Sequence, residues 1–478
     1  MCGLVLLYGP NAGNRLPGCL NRLRHRGPDD QRTIIEKDFA VGFARLEVNG
    51  GSGSERQPYQ YNGLVGAING EIYNYQVLEE KYGLAPSPCD TRVVLPLFDV
   101  IGVKAIDEMD GFYSGIVIRK QGRQVFCLRD HIGKKPLFVG RSENEMFITS
   151  ELKALHNIDW FESLPLGVST VDLDTGKVSL LAKHNLPSPH ENLSQVLERA
   201  VRKRMPQPDQ PVGVFLSGGL DSSIIASFVS KFRGDATYFT LGNAQSPDHQ
   251  AVMTVAESLG LQDVRIVSLP STESISELIK AVVYATESFN PSIVSNGLST
   301  YLLAQAAKKA GIKVILTGEG ADELFGGYHY FSKDDPWQEV RKQLIDDMQF
   351  TELRRLDLAS MAQGVEVRCP FLDIEVRSIS DSLGFDEMYA GRENKVELRR
   401  CFKGVLPPSV LERRKTSFDV GSGIRGKVVQ YLRRNGKSER EELLNLWKQF
   451  FLHDASAPYF HSYPVFDALI DRRGEAHR

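Results

Sequence analysis

Short runs of apolar and β-branched residues dominate the first part of the chain, and they predict strands. These runs cover residues 4–8, 39–48, 64–69, 112–119, 125–129 and 146–150. Apolar residues recur every three or four positions over 72–82 and 91–109, which predicts two helices there. Because the predicted strands have few helices between them, we expect packed mixed or antiparallel sheets with helices on the outside.

The pattern changes near residue 185, where two proline-rich stretches, NLPSP at 185–189 and MPQPDQP at 205–211, interrupt it. We therefore predict two domains, residues 1–188 and 189–478. Beyond this boundary, predicted strands at 212–216, 236–241, 264–267 and 313–316 alternate with predicted helices at 222–232, 251–259 and 299–310. Such alternation predicts a parallel sheet wrapped by helices, with ligands at the carboxyl ends of its strands. After Gly327 the pattern is mostly helical.

The composition narrows the class of protein. Of 478 residues, 42% are apolar and 24% charged, and the formal net charge is -3, which excludes a disordered or collagen-like chain. The chain has no apolar run of about 18 residues and no basic region at its start, so we expect a cytoplasmic protein without a membrane partner. Its balanced charge favours small-molecule substrates over nucleic acid. The six cysteines form no CxxC pair or Cys/His cluster, which argues against a zinc site and a disulfide framework.

Cys2 is a candidate nucleophile because removal of Met1 would make it the amino-terminal residue. Its own α-amine, with a pKa near 8, could then take the proton of the thiol. Asn69 and Gly70 come at the end of a predicted strand, where an amide and a backbone N–H could face a developing oxyanion. The alternatives are an inert residue at position 2 and an ordinary Asn-Gly turn.

Three segments together carry a resemblance: the Met-Cys-Gly start, RHRGPDD at 24–30 and NGEIYN at 69–74. The chain resembles the class II glutamine amidotransferases, whose fold is the αββα sandwich of the amino-terminal-nucleophile hydrolases. The resemblance implies that Cys2 attacks the side-chain amide of glutamine to form a thioester, which water then hydrolyses. It further implies the residues that hold the substrate: Asn69 and Gly70 for the oxyanion, Arg45 for the α-carboxylate, Asp90 for the α-ammonium, and Glu71 beside them.

A glycine-rich string, SGGLDSS at 217–223, follows a predicted strand and opens a predicted helix. Glycines let the backbone approach a phosphate, and the N–H groups at a helix start favour an anion. The string lacks the GxxxxGK[ST] pattern of a Walker A loop. It resembles instead the pyrophosphate-binding loop of enzymes that split ATP between the α and β phosphates. The residues expected to contact ATP here are Ser217, Gly218, Gly219, Leu220, Asp221 and Ser222.

An acidic string, LTGEGADELFGGY at 316–328, follows another predicted strand. Its carboxylates Glu319, Asp322 and Glu323 repel one another, which is tolerated best where a cation offsets them. We expect Asp322 and Asp221 to bridge Mg²⁺ to pyrophosphate oxygens, and Glu319 to take a proton from attacking ammonia. The alternative is a solvated acidic loop.

Both strings, together with VEVRCPFLD at 365–373, resemble the synthetase domain of the glutamine-hydrolysing asparagine synthase family. The resemblance implies a parallel-sheet α/β domain of the ATP-pyrophosphatase type with a helical carboxyl-terminal part. By the same match, Leu241 and Gly318 line the nucleotide, and Lys415 stabilises charge on the α-phosphate and the departing pyrophosphate. Lys395 and Arg368 are secondary candidates near the phosphates.

The implied reaction joins the two domains: ammonia released from glutamine crosses an apolar passage and amidates aspartate, with ATP and Mg²⁺ as cofactors. A homodimer is one assembly that the resemblance allows. The segments 290–297 and 416–421 depart from the family pattern and bear on the acceptor acid. Three alternatives therefore stay open: a related ligase that acts on a different carboxylate, an inactive binding protein, and a peptidase of the amino-terminal-nucleophile class.

Overall fold

The computed structural model describes residues 2–48, 56–120, 124–188, 191–328 and 331–463. It divides into two compact units, the first made of Met1–Asn185 with Phe451–Asp454 and the second of Leu186–Phe450 with Ala455–Arg478. The domain boundary after residue 188 stays a prediction. In the described ranges, no helix has the length and apolar character needed to cross a membrane.

The first unit is built mainly from strands. They are β1 (Gly3–Tyr8), β2 (Asp30–Ile35), β3 (Phe39–Arg45), β4 (Tyr59–Tyr61), β5 (Leu64–Ile72), β6 (Gly111–Arg119), β7 (Gln124–Arg129), β8 (Phe138–Ser142), β9 (Glu145–Thr149), β10 (Trp160–Ser163), β11 (Gly167–Asp172) and β12 (Val178–Ala182). The helices are α1 (Ala12–Arg22), α2 (Tyr75–Tyr82), α3 (Val94–Ile101) and α4 (Ala105–Glu108).

These strands form two antiparallel sheets, as the sequence pattern predicted. One has the order β10-β8-β9-β1-β3-β2 and the other the order β12-β11-β7-β6-β5-β4. β1 lies inside its sheet, paired with β3 on one side and β9 on the other. The predicted helix at 72–82 is shorter than expected, because β5 continues to Ile72 and α2 begins at Tyr75.

Apolar side chains from both sheets meet in one core, for example Leu6 and Val41 against Ala67 and Ile116. A second core fills the space between the outer face of the β5–β6 sheet and the helical segment that includes α3. Helix α1 packs against β1 and β3 on the outer face of the other sheet. The unit is therefore an αββα sandwich, which confirms the predicted fold class.

The second unit alternates strands and helices and then becomes helical. Its strands are β13 (Val212–Phe215), β14 (Thr237–Leu241), β15 (Asp263–Val267), β16 (Val314–Leu316), β17 (Glu366–Arg368), β18 (Tyr389–Ala390) and β19 (Glu393–Asn394). Its helices are α5 (Leu193–Lys203), α6 (Leu220–Phe232), α7 (His249–Leu259), α8 (Ile275–Thr286), α9 (Pro291–Lys309), α10 (Ala321–Phe325), α11 (Trp337–Asp347), α12 (Glu352–Met361), α13 (Ile374–Ser382), α14 (Phe385–Met388), α15 (Val396–Cys401), α16 (Pro408–Leu411), α17 (Phe418–Gly421), α18 (Ile424–Leu432), α19 (Glu439–Trp447) and α20 (Pro458–His461).

Five of these strands form a parallel sheet with the order β15-β14-β13-β16-β17. The predicted parallel α/β fold is thus confirmed, with β17 as an added edge strand. The neighbouring strands β13 and β16 end at Phe215 and Leu316, directly before the glycine-rich and the acidic string. Because parallel strands end at the same edge of the sheet, both strings meet there.

Candidate active sites

Cys2 lies immediately before β1 and is buried, with 8% of its surface exposed. Its backbone nitrogen donates to Asn69 Oδ1 at 2.8 Å, and its carbonyl accepts from Arg26 Nε at 2.8 Å. Both backbone polar groups of Cys2 are therefore hydrogen-bonded to other segments of the first unit. The thiol points towards the Leu46 carbonyl, with Sγ 4.0 Å from that oxygen.

Arg26 belongs to a buried ionic cluster centred on Glu151. Arg26 Nη1 lies 2.5 Å from Glu151 Oε1, while Lys153 Nζ and His25 Nε2 lie 2.6 and 2.8 Å from Glu151 Oε2. Burial alone would raise the pKa of Glu151, but Lys153, His25 and Arg26 hold that pKa well below its ordinary value. The RHRGPDD string thus serves to anchor Cys2 through Arg26, a role that sequence reasoning did not assign.

Replacing Glu151 with glutamine is expected to lower the free energy of unfolding by about 3–5 kcal/mol, because the charge of Arg26 stays buried without its partner. A carboxyl whose pKa is lower in the folded state stabilises the fold above its unfolded pKa and loses that contribution as the pH falls. The difference between wild type and Glu151→Gln in urea unfolding should therefore shrink below about pH 4. Glu162→Gln, at an exposed position on β10, is the control. An equal difference at acid and neutral pH would contradict this account.

Asn69 and Gly70 lie within β5, so the alternative of an Asn-Gly turn is wrong. Asn69 is fully buried, and within the described part of the chain its Nδ2 has no hydrogen-bond partner. Gly70 has φ +150°, and a Cβ there would lie 2.1 Å from the Phe112 carbonyl oxygen. Only glycine fits this close approach, which places the Gly70 backbone in the wall of the site next to Cys2.

A small cavity of about 30 Å³ opens next to Cys2. Among the residues that line it are Arg45, Gly70, Glu71 and Asp90, so the structure brings these predicted residues together. Asn69 is not among the lining residues and meets Cys2 through its hydrogen bond to the Cys2 nitrogen. Arg45 Nη2 lies 3.7 Å from Glu47 Oε1, and Asp90 Oδ2 accepts from the Ile72 backbone nitrogen at 2.7 Å.

Sequence reasoning missed Gln57 in the wall of this cavity. Its Oε1 accepts from the Ile68 nitrogen at 2.6 Å, and its Nε2 donates to the Ile68 carbonyl at 2.8 Å. The side-chain amide thereby satisfies the backbone of β5 just before Asn69. No local pattern marks this glutamine, because the backbone groups that it bonds lie 11 residues further along the chain.

A cavity of about 650 Å³ lies at the carboxyl ends of β13 and β16 in the second unit. The predicted residues that line it are Ser217, Gly219, Leu220, Asp221, Ser222, Gly318, Glu319, Asp322, Lys395 and Lys415. The glycine-rich string leads directly into α6, with Gly219 as its N-cap residue. The free N–H groups of this helix start are therefore next to the cavity, as an anion site requires.

Three other predicted residues do not line this cavity. Gly218, with φ +69°, packs against α7, where a Cβ would lie 2.6 Å from the Val252 nitrogen. Leu241 is buried at the end of β14. Arg368 is buried on β17, where its guanidinium donates to Glu366 at 2.8 Å and to the Arg204 carbonyl at 2.9 Å.

Two carboxylates and two lysines meet in the cavity. Lys395 Nζ lies 2.7 Å from Asp221 Oδ1 and 2.5 Å from Asp322 Oδ1, and Lys415 Nζ contacts Asp322 and lies 3.8 Å from Asp221 Oδ2. Burial acts to raise the pKa of Asp322, but the two ammonium groups lower it to about 2. Since both carboxylates contact the same ammonium, their oxygens converge on one point.

The acidic string is buried rather than solvated, with Asp322 7% and Glu323 1% exposed. The protein relieves the repulsion among its carboxylates in three ways. Lysines pair with Asp322, Arg355 Nη2 lies 2.6 Å from Glu319 Oε1, and Tyr328 donates to Glu323 at 2.5 Å. Burial and the neighbouring carboxylates raise the pKa of Glu323 well above its ordinary value.

Sequence reasoning missed the residues behind Glu319. Arg355 and Glu352 lie one turn apart at the start of α12, and both line the cavity. Glu352 accepts from the hydroxyl groups of Thr351 and Tyr463. In the described residues, no group of three or more His, Cys, Asp or Glu side chains is arranged to hold a metal ion. Asp221 and Asp322, whose oxygens converge on the Lys395 ammonium, are the candidate carboxylates for a cation in this unit.

Two protein-family profiles match separate parts of this chain. The asparagine synthase family profile matches residues 192–352 and 333–461, and the glutamine amidotransferase domain profile matches residues 1–185. A probable glutamine-hydrolysing asparagine synthetase of Acanthamoeba polyphaga mimivirus is 30% identical over 91% of this chain and 87% of its own length. Asparagine synthetase B of Escherichia coli (strain K12) is 31% identical over 84% of this chain and 78% of its own length. Glutamine-hydrolysing asparagine synthetase 2 of Oryza sativa subsp. japonica is 30% identical over 88% of this chain and 78% of its own length.

Proposed function

The chain belongs to the asparagine synthase family, and we propose that it transfers nitrogen from glutamine to aspartate, converting ATP to AMP and pyrophosphate. The observation that supports this most directly is that the described residues of each unit line a polar cavity, and these two cavities have different chemistry. One is lined by a buried thiol, a guanidinium and two carboxylates, those of Cys2, Arg45, Glu71 and Asp90. The other surrounds a helix start, two convergent carboxylates and two lysines.

In the first cavity, Cys2 Sγ attacks the side-chain carbonyl carbon of glutamine. Once Met1 is removed, the nitrogen that now donates to Asn69 Oδ1 becomes an α-amine, which takes the thiol proton and passes it to the leaving ammonia. Asn69 Nδ2 and the Gly70 N–H stabilise the negative charge on the carbonyl oxygen. The C–N bond breaks, ammonia leaves, and a thioester remains, which water hydrolyses to glutamate.

Arg45 and Asp90 orient the glutamine. A guanidinium offers a carboxylate two parallel donors, and Asp90 supplies the opposite charge for the α-ammonium. Glu71 lies in the same wall and adds a second acidic side chain. Together these groups select a free amino acid, because both of its charged termini are paired.

Changing Asn69 to aspartate tests the oxyanion role, because this variant keeps the acceptor for the Cys2 nitrogen and removes the Nδ2 donor. We expect kcat for glutamine hydrolysis to fall by a factor on the order of 10²–10³, as when one oxyanion donor is lost. Glutamate formation is the measurement. Asn144→Asp, in an exposed turn of the same unit, is the matched control. A normal kcat in Asn69→Asp would remove Asn69 from the mechanism.

In the second cavity, the start of α6 and the string before it bind the phosphates of ATP. The acceptor carboxylate attacks the α-phosphate, and the bond to the β-phosphate breaks to release pyrophosphate. Lys415 stabilises the charge that develops on these oxygens, a role that suits a mobile point charge. We assign Gly318 to the nucleotide site on the same cavity, and Leu241 and Gly218 to its supporting structure.

Asp221 and Asp322 would hold Mg²⁺. They fit this ion because they supply hard oxygen ligands that converge on one cation, and Mg²⁺ is commonly held by one or two carboxylates together with substrate phosphates. When bound, Mg²⁺ supplies positive charge to the pyrophosphate oxygens. Lys395 now bridges the two carboxylates and so keeps them at the same place.

Ammonia then attacks the acyl carbon of the adenylated aspartate, and AMP leaves. The attacking nitrogen must lose a proton, and we assign Glu319 as the group that accepts it. Its ion pair with Arg355 fixes the position of the carboxylate in the cavity wall.

The decisive assay supplies glutamine, aspartate and Mg·ATP to the full chain and measures asparagine, AMP and pyrophosphate. We expect the three products in equal amounts. Formation of ADP, or no asparagine, would overturn the proposal. If pyrophosphate were released with another carboxylic acid but not with aspartate, aspartate would not be the acceptor, while the reaction class would be kept.

A further inference from the structure

Lys415 lies in a segment without regular secondary structure, residues 412–417, between α16 and α17. Arg414 and Thr416, its neighbours in sequence, are exposed to solvent. The Lys415 ammonium nevertheless reaches Asp322 and Asp221 in the cavity. Lys415 is itself partly exposed, so the contacts of the chain on either side of it bear on where its ammonium lies.

Both flanks of Lys415 attach to the loop between β14 and α7, residues 242–248. Upstream, Arg413 Nη2 donates to Asp248 Oδ1 at 2.6 Å. Downstream, the Asp248 nitrogen donates to the Gly421 carbonyl at 3.2 Å, and Ser246 Oγ donates to the Ser422 carbonyl at 2.9 Å. Asp248 is thus in contact with the chain before and after the lysine.

The fit between these segments is close. A Cβ at position 421 would lie 2.1 Å from Asp248 Oδ2, so glycine is needed where α17 passes the carboxylate. Asp248 is only 4% exposed, and burial raises its pKa while Arg413 acts to lower it. The nearby charge of Lys415 also acts to lower this pKa.

Arg413 also reaches the glycine-rich string. Its Nη1 lies 3.4 Å from the Ser217 carbonyl oxygen, and Ser217, Asp248 and Arg413 all line the large cavity. One guanidinium thereby connects the lysine segment, the β14–α7 loop and the proposed phosphate loop. The two contacts use the two Nη atoms of the guanidinium, a forked geometry that a lysine does not offer.

We propose that Arg413 and Asp248 are positioning residues, and that their ion pair sets the place of Lys415 relative to the ATP phosphates. This inference rests on the proposed function, because it takes Lys415 as the group that stabilises the phosphates. Neither residue needs to touch the reacting atoms. Their effect on the reaction passes through Lys415.

The test is a double-mutant cycle in the full chain, with ammonium chloride as the nitrogen source so that glutamine hydrolysis is not needed. Pyrophosphate release gives kcat and KM for Mg·ATP in wild type, Arg413→Gln, Lys415→Ala and the double variant. We expect Arg413→Gln to lower kcat/KM by a factor on the order of 10–100, because a small displacement of Lys415 from the phosphates would have an effect of this size. We expect the double variant to be no worse than Lys415→Ala, since Arg413 acts through the lysine. Full additivity, or an unchanged kcat/KM in Arg413→Gln, would overturn the inference.

Controls separate this result from simple misfolding. Arg265→Gln, which breaks an exposed pair with Asp263 in the same unit, should leave kcat/KM unchanged. If Arg413→Gln does not fold, Asp248→Asn replaces it in the cycle, because the amide keeps the size of the carboxyl. If wild type makes ADP or no asparagine, the proposed function fails. If wild type makes asparagine, AMP and pyrophosphate but the cycle is additive, only the positioning role fails.

Discussion

Replacing Cys2 with alanine is expected to abolish asparagine synthesis from glutamine and to leave synthesis from ammonium salts intact. The thiol is the only group of the first cavity assigned to bond with substrate carbon, so its loss removes the thioester route. We expect glutamine hydrolysis to fall at least about a thousandfold, as for other enzymes that lose their nucleophile. Asparagine formation is measured with glutamine and, separately, with ammonium chloride.

Cys19→Ala is the matched control for this variant. Cys19 is a buried thiol on α1 in the same unit, and it is not assigned to the chemistry. It should keep both activities. If Cys2→Ala lost both activities while remaining folded by circular dichroism, the two sites would not be separable. If it kept glutamine-dependent synthesis, Cys2 would not be the nucleophile.

Replacing Glu319 with glutamine is expected to lower asparagine formation by a factor on the order of 10²–10⁴, the range for loss of a general base. The amide cannot accept the proton that ammonia must lose. Formation of the adenylate does not need this proton transfer, so exchange of labelled pyrophosphate into ATP should persist. Both rates are measured with ammonium chloride as the nitrogen source.

The choice of control matters because Glu319→Gln also breaks the ion pair with Arg355. Glu375→Gln breaks an exposed pair with Arg199 in the same unit and should leave both rates unchanged. Glu319→Asp keeps a basic carboxylate and should recover part of the rate. Normal asparagine formation in Glu319→Gln would exclude the base role, and loss of pyrophosphate exchange would move Glu319 to the adenylation step.

Periodicity predicted the parallel sheet and half of the strands of the first unit, because these buried strands carry continuous apolar runs. It missed β2, β10 and β12, which carry exposed residues, and also β4, β8 and β11. It placed one helix at 299–310, whereas α9 begins at Pro291. Proline at the first helical position and the Asn290 side chain, which accepts from the Ser292 and Ile293 nitrogens, start this helix. Both signals stand in the sequence, inside the segment that departs from the family pattern.

The site residues divide in the same way. The sequence motifs predicted those site residues that occur at a fixed spacing within a motif, such as Asp221 in the glycine-rich string. Partners such as Glu151 and Arg355 carry no motif, because each pairs with a residue that only the fold brings near. A sequence motif locates a functional residue along the chain. An ion pair between distant residues depends on which helices and strands pack together, and a motif does not contain that information.

The location of β1 has a consequence for thermal inactivation. Terminal segments of proteins commonly fray before the rest of the fold melts. Here the residue beside the nucleophile begins a strand that is hydrogen-bonded on both edges. Loosening that end requires the surrounding sheet to open, so the temperature at which glutamine cleavage is lost should report cooperative melting of the sandwich rather than a local peeling of its first residues.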